Sequence, residues 1–379
     1  MPEATDFSPF TEGIAVQAPP RYPRRPTRQI RVGRVPVGGG APISVQSMTK
    51  TDTRDVAATV EQIWALEAAG CEIVRIAVPD ADAAAAVPAI RRQIRIPLIV
   101  DIHFDYRLAL QCLAAGVDCL RINPGNIGPT WRVREVTKAA AERKVPIRIG
   151  VNAGSLEKHL LQRHGEPTAE AMVESALFHV RILEELGYPE VKISLKSSDP
   201  RMMIEAYRRL ADQVAYPLHL GVTEAGTAAS GTVKSAVGIG TLLAEGIGDT
   251  LRVSLTEDPT EEVRVGFEIL KALGLRKRGL NIISCPSCGR VEIDLVGVTK
   301  EVERRLAALN LQRSVTVAVM GCAVNGPGEA RGADLGIAGG HGVGILIKKG
   351  QIVRKVKESE LADVLVEEVE ALAKQAEEG

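Results

Sequence analysis

Aromatic side chains are scarce in this chain: Phe, Trp and Tyr make up 3% of 379 residues. Proteins that hold single-stranded nucleic acid stack bases on such rings, so that class is disfavoured. Net charge is missing too. Lys+Arg and Asp+Glu stand at 47 each, which argues against a general nucleic-acid or membrane-surface protein but permits a local basic pocket. No apolar run reaches the length of a membrane span. The opening residues carry acids and no apolar h-region, so no secretory leader is expected. Six cysteines without a leader point to a reducing cytoplasm and to free or metal-bound thiols. Nucleotide fingerprints are absent as well. Gly238-Ile239-Gly240 and Gly342-Val343-Gly344 lack the strand–G-x-G-x-x-G–helix context. The stretch Gly226 to Thr232 lacks the Gly-Lys-Ser/Thr of a P-loop, although it precedes a helix and could hold phosphate on backbone N–H groups.

What is present centres on thiols. Cys285-Pro286-Ser287-Cys288 is a C-x-x-C, and Cys322 opens a Gly/Pro-rich turn that ends in Asn325-Gly326-Pro327-Gly328-Glu329. Two thiols on one turn and a third on a distant turn is metal-ligand spacing. Three thiolates leave one position for another group, with Glu329 nearest, or open for chemistry. An iron–sulfur cluster, a Cys3His zinc site using His341 and a redox disulfide all remain compatible with the spacing. Cys71, Cys112 and Cys119 fall in the repeating core pattern and read as packed thiols. His159, His164 and His179 read as surface or core groups.

From residue 43 short apolar strands alternate with amphipathic helices. Strands are expected at 43–48, 73–78, 98–103, 119–123, 147–152, 191–196, 218–223 and 251–255. Eight βα units in about 230 residues is the count and length of a (β/α)8 barrel of the TIM type, with a doubly wound sheet as the alternative. Beyond residue 280 the beat changes to a smaller α+β unit. It has helices expected at 298–309 and 358–377 and strands at 315–320, 334–338 and 344–348. The expected domains are thus a mobile Pro/Arg-rich arm at 1–27, a barrel at 28–280 and a thiol-bearing domain at 281–379.

Strands buried on both faces normally read as continuous apolar runs. These alternate, as in Ile147, Ile149 and Val151 against Arg148, Gly150 and Asn152. Residues i and i+2 share a face. With the apolar face against the helices, Arg75, Arg121, Arg148, Lys196 and Arg252 point into the lumen beside Asp101, His103, Asn123 and Asn152. Buried cations are expensive unless something anionic compensates them, so a polyanion such as a diphosphate is expected there. Lys196 could form a Schiff base, but the arginines around it favour phosphate. Glu224, just after the seventh strand, is a candidate acid or base.

Several stretches closely resemble the bacterial 4-hydroxy-3-methylbut-2-enyl diphosphate synthase family. They are Val45 to Thr49, Asp101 to Phe104, Leu120 to Gly125, Arg148 to Leu156, Leu218 to Gly226, Glu245 to Ser254, the C-x-x-C and Asn325 to Glu329. The resemblance runs from about residue 28 to the C-terminus and matches the two-domain form. It implies a [4Fe-4S] cluster on Cys285, Cys288, Cys322 and Glu329. It implies substrate contacts from Arg54, Asp101, His103, Arg121, Arg148, Asn152, Lys196, Thr223, Arg252, Ser254 and Asn325, with Glu224 and Glu329 catalytic. It also implies two-electron reductive opening of a cyclic diphosphate, flavodoxin or ferredoxin as electron donor, and a homodimer. Neither nucleic acid nor membrane is an expected partner.

Overall fold

The computed structural model describes residues 23–276, 279–307, 309, 314–322, 324–340 and 342–377. The expected arm up to residue 22, and His341, lie outside the described residues. The chain divides into two compact units between Leu275 and Arg276.

The first unit opens with an antiparallel hairpin, β1 (Ile30–Val32) and β2 (Val35–Val37). Eight strands follow: β3 (Ser44–Met48), β4 (Ile73–Ala77), β5 (Leu98–Ile102), β6 (Cys119–Ile122), β7 (Ile147–Asn152), β8 (Val191–Lys196), β9 (His219–Leu220) and β10 (Thr250–Leu251). They pair in parallel in the order β8-β7-β6-β5-β4-β3-β10-β9, and a parallel bridge from Ile193 to Leu218 closes the ring. This is the expected barrel. Six of the helices start where Asp or Thr ends the preceding loop. Asp55, Asp80, Asp105, Thr168, Asp199 and Asp258 each accept a hydrogen bond from a first-turn N–H, the usual way to satisfy an orphan donor there. The apolar strand face (Val74, Val100, Leu120, Ile149, Ile193) packs against the helices in one core.

The β1–β2 hairpin, not anticipated from sequence, packs Ile30, Val32 and Val37 on Ile73, Ile99 and Cys119 at the strand starts. It gives the barrel an apolar floor below its polar lumen. Residues just before it are not a free arm. Arg24 pairs with Asp249 at 2.9 Å, and Arg25 donates to the carbonyls of Ala211 at 3.2 Å and Tyr216 at 2.7 Å. The helix after β9 begins at Ala228, so most of the glycine-rich stretch is helical rather than a loop ahead of a helix.

The second unit is a five-stranded sheet in sequential order: β11 (Leu280–Ser284), β12 (Val315–Met320), β13 (Leu335–Ala338), β14 (Val343–Lys348) and β15 (Gln351–Lys357). The pairs β11–β12 and β12–β13 are parallel and the rest antiparallel. Helices Leu295–Ala307 and Leu361–Glu377 supply Val302, Leu306, Leu361, Leu365 and Val369 to a core with Val317, Val319, Leu335 and Ile337. Of these strands, β11 and β15 have no counterpart in the sequence reading. Both are sheet edges with mostly exposed residues, so neither carries an apolar stripe.

Candidate functional site

The barrel lumen carries a concentration of charge. Arg75, Arg121, Arg148, Lys192 and Lys196 are all buried, with Arg148 1% and Lys192 0% exposed, against one buried lumen carboxylate, Asp101. Arg121 is held as a fork. Its Nη1 donates to Asp101 Oδ1 and contacts His103 Nε2, both at 2.9 Å, and its Nη2 donates to the Gly150 carbonyl at 2.9 Å. Arg75 lies 3.8 Å from the other Asp101 oxygen. Burial works against the Asp101 carboxylate, but Arg121 and Arg75 outweigh it and hold its pKa well below the ordinary value. Arg252 is met from outside the lumen by Glu262, 3.4 Å away on the helix Pro259–Ala272. Glu262 also accepts from Ser47 Oγ at 3.0 Å and the Leu255 N–H at 3.1 Å.

Several cations have no such partner. Arg148 Nε and Nη1, Lys192 Nζ and Lys196 Nζ are buried without a hydrogen bond, and so are both ring nitrogens of His219, whose imidazole burial keeps neutral. Burial and then neighbouring cations depress the pKa of Lys196 and His219 far below normal. Burial lowers Lys192 to about 8 and Arg148 to about 10. A lumen with this donor surplus suits an anion, because an unmet buried donor costs about 1–3 kcal/mol and more when charged.

The other expected residues lie at the C-terminal ends of the barrel strands. Asn152 ends β7; Thr223 and Ser254 follow β9 and β10 and are half-buried. Asn123, buried after β6, donates to Ser155 Oγ at 3.0 Å. Glu224 is exposed with φ of +51°, a left-handed conformation rare outside glycine and asparagine. Arg54 does not join the lumen group. It is half-exposed and paired with Asp52 at 2.7 Å and Asp80 at 3.3 Å, on its own and a neighbouring loop. Lys192 and His219 were missed as lumen groups, though each stands an even number of residues from Lys196 or Thr223. Glu262 was missed because an acid on an amphipathic helix reads as solvent-facing.

The second locus lies in the other unit. Parallel pairing sets Ser284 beside Val319, so the turns carrying Cys285 and Cys322 leave the same end of adjacent strands. They are stitched together: Gly321 N–H donates to Cys285 Sγ at 3.4 Å, and Glu292 N–H to the Gly321 carbonyl at 2.9 Å. Cys322 is buried, and N–H groups of Asn325 and Val324 lower its pKa, favouring thiolate. Cys285 is half-buried, while Cys288, Asn325 and Glu329 are exposed. Ser287, inside the C-x-x-C, has φ of +59°. Among the described residues, no group of three or more His, Cys, Asp or Glu side chains is gathered closely enough to hold a metal ion. The fold brings the two turns together without closing the donors on a point. Cys71 and Cys112 are buried thiols pushed up to about 12, as packed core thiols should be, and Cys119 is raised likewise by burial. His179 is buried, 3.6 Å from Glu157; His164 contacts Glu174 at 3.2 Å.

Fold and sites together define a (β/α)8 barrel with a cation-lined lumen, followed by a thiol-bearing α+β unit. The family model described as the GcpE TIM-barrel domain matches residues 27–267, and the GcpE protein C-terminal domain matches residues 281–371. The chain belongs to the GcpE family. It is 68% identical over 346 residues to 4-hydroxy-3-methylbut-2-en-1-yl diphosphate synthase (flavodoxin) of Geobacter sulfurreducens, covering 91% of this chain and 98% of that protein. The protein of the same name from Symbiobacterium thermophilum is 63% identical over 350 residues, covering 92% and 94%. Among solved structures, dihydropteroate synthase of Stenotrophomonas maltophilia covers 65% of this chain and 97% of its own at TM-score 0.49 and 13% identity, a likeness that carries no functional weight. No helix among the described residues is long and apolar enough to cross a membrane.

Proposed function

We propose that this chain is an oxidoreductase converting 2-C-methyl-D-erythritol 2,4-cyclodiphosphate to 4-hydroxy-3-methylbut-2-enyl diphosphate, a step toward isoprenoid precursors. The reading rests on the name borne by the Geobacter and Symbiobacterium relatives and on one observation above all, the unpartnered buried cations of the lumen. In the reaction a ring C–O bond to the diphosphate opens, the neighbouring hydroxyl leaves as water, a double bond forms, and two electrons are taken up.

Arg121, Arg148, Lys196 and Arg252 hold the diphosphate, and His103, Asn152, Thr223 and Ser254 orient it at the strand ends. Asp101 fixes Arg121 and Arg75 rather than touching phosphate, because its oxygens are committed to them. Glu224, exposed at the mouth, moves the proton. Arg54 would have to leave Asp52 and Asp80 to reach substrate.

The thiols fit a [4Fe-4S] cluster. Cys322 sits in a cradle of N–H groups that favours thiolate, and the Cys285 turn is hydrogen-bonded to it. Cys285, Cys288 and Cys322 would hold the cluster, with Glu329 as the weaker fourth ligand and Asn325 beside it. When bound, it supplies the electrons and a Lewis-acidic iron. The electrons come from a carrier protein, the flavodoxin that the relatives' name prints or a ferredoxin, and the working unit is a homodimer. The test is anaerobic incubation of cluster-loaded protein with the cyclodiphosphate and reduced flavodoxin, following product by mass spectrometry. Absence of product at full cluster occupancy with any reductant rejects the proposal.

A further inference from the structure

Side chains facing the lumen of a small barrel normally fill it. Gly150 and Gly221 stand in that register, Gly150 between Arg148 and Asn152 and Gly221 between His219 and Thr223. Glycine weakens a strand, so one there marks a bend, a bulge or a close approach. Neither residue is in the left-handed region, and conformation therefore does not account for them. Close approach does. A Cβ on Gly150 would overlap Arg121 Nε and stand 3.0 Å from both Cζ and Nη2; its three nearest atoms all belong to Arg121. A Cβ on Gly221 would stand 2.7 Å from Lys196 Nζ and 3.2 Å from its Cε, and 2.6 Å from the Arg252 carbonyl oxygen. Two lumen cations thus lie where the two missing side chains would be.

We propose that Gly150 and Gly221 are positioning residues, whose missing side chains set where the Arg121 guanidinium and the Lys196 ammonium meet the bound anion. This rests on the lumen being the anion site. Arg121 cannot yield freely, because Asp101, His103 and the Gly150 carbonyl each hold it at 2.9 Å. An added methyl group forces the guanidinium out of that fork. At Gly221 the methyl also meets backbone, so Gly150 gives the cleaner experiment.

The experiment compares wild type, Gly150→Ala, Arg121→Ala and the double variant as cluster-loaded full-length protein. Inorganic pyrophosphate affinity is measured by calorimetry, and crystal structures are determined for wild type and Gly150→Ala. Gly150→Ala should weaken pyrophosphate about tenfold, the scale of one charged hydrogen bond. Its crystal structure should show Arg121 displaced from Asp101. In the Arg121→Ala background the same substitution should change affinity no further, a coupling that general loosening of the barrel would not produce. Wild-type affinity with Arg121 in place overturns the proposal, and so does an equal loss in both backgrounds. If wild type itself fails to bind pyrophosphate, the anion-site reading falls. The position of Arg121 in the Gly150→Ala crystal then decides the positioning role alone.

Discussion

The two sites are built in opposite ways. The barrel lumen carries its cations buried on the strands, with Arg121 and Arg75 fixed through Asp101. The cysteine turns form a looser site: Cys322 is buried, but Cys288 and Glu329 are exposed. A diphosphate must be met by charges that do not reorganise, which is what preorganised electrostatics requires. A cluster, by contrast, contributes its own bonding energy and can draw exposed ligands onto itself.

The comparison can be broken most sharply at Cys322. Cys322→Ser should abolish the cluster and turnover together, while pyrophosphate binding in the barrel persists; activity in a cluster-free variant would defeat the mechanism. Glu224→Gly comes next. Turnover should fall more than a hundredfold with loss of the acid–base group, yet stability measured by denaturant titration should rise by up to about 1 kcal/mol, because glycine relieves a left-handed backbone. Arg148→Ala should weaken pyrophosphate binding about ten- to a hundredfold, with calorimetry as the check; unchanged affinity would place the anion elsewhere. Glu329→Ala should keep most of the visible absorption and lose turnover, and full activity would free the cluster from any need of that carboxylate.

The smallest effect is a pH dependence of the ligand-free protein. Lys192 titrates at about 8 in the fold and near 10.4 unfolded. Between those values the unfolded state binds the extra proton, so stability rises with pH across that window. Denaturant titrations from pH 8 to 10 should show this rise, flattened in Lys192→Met.

Much of this was legible because period-two alternation survives in strands that ought to read as continuously apolar. Arg148 and Lys196 could be placed from that pattern alone. The Asp101–Arg121 pairing could not, since it depends on the register of β5 with β6. Lys192 carried the same signal as Lys196 but lies two repeats deeper, where no strand-end argument reaches. Arg54 was expected only through the family resemblance, and no sequence pattern reports that Asp52 and Asp80 both pair with it. The cysteine set was visible through spacing, which reports donor identity and order. It does not report the parallel pairing of β11 with β12 that brings the turns together. Of the backbone strain, Lys144 caps a helix and Lys349 turns a hairpin. Glu224 and Ser287 have no such duty, and both fall at the candidate sites.

The most direct test of an iron–sulfur reductase is anaerobic purification followed by a visible spectrum and counts of iron, sulfide and zinc per chain. A brown protein with about four irons and four sulfides, as a Cys-ligated [4Fe-4S] cluster requires, is the expected result. A colourless protein carrying one zinc, reproduced under strict anaerobiosis, would contradict it.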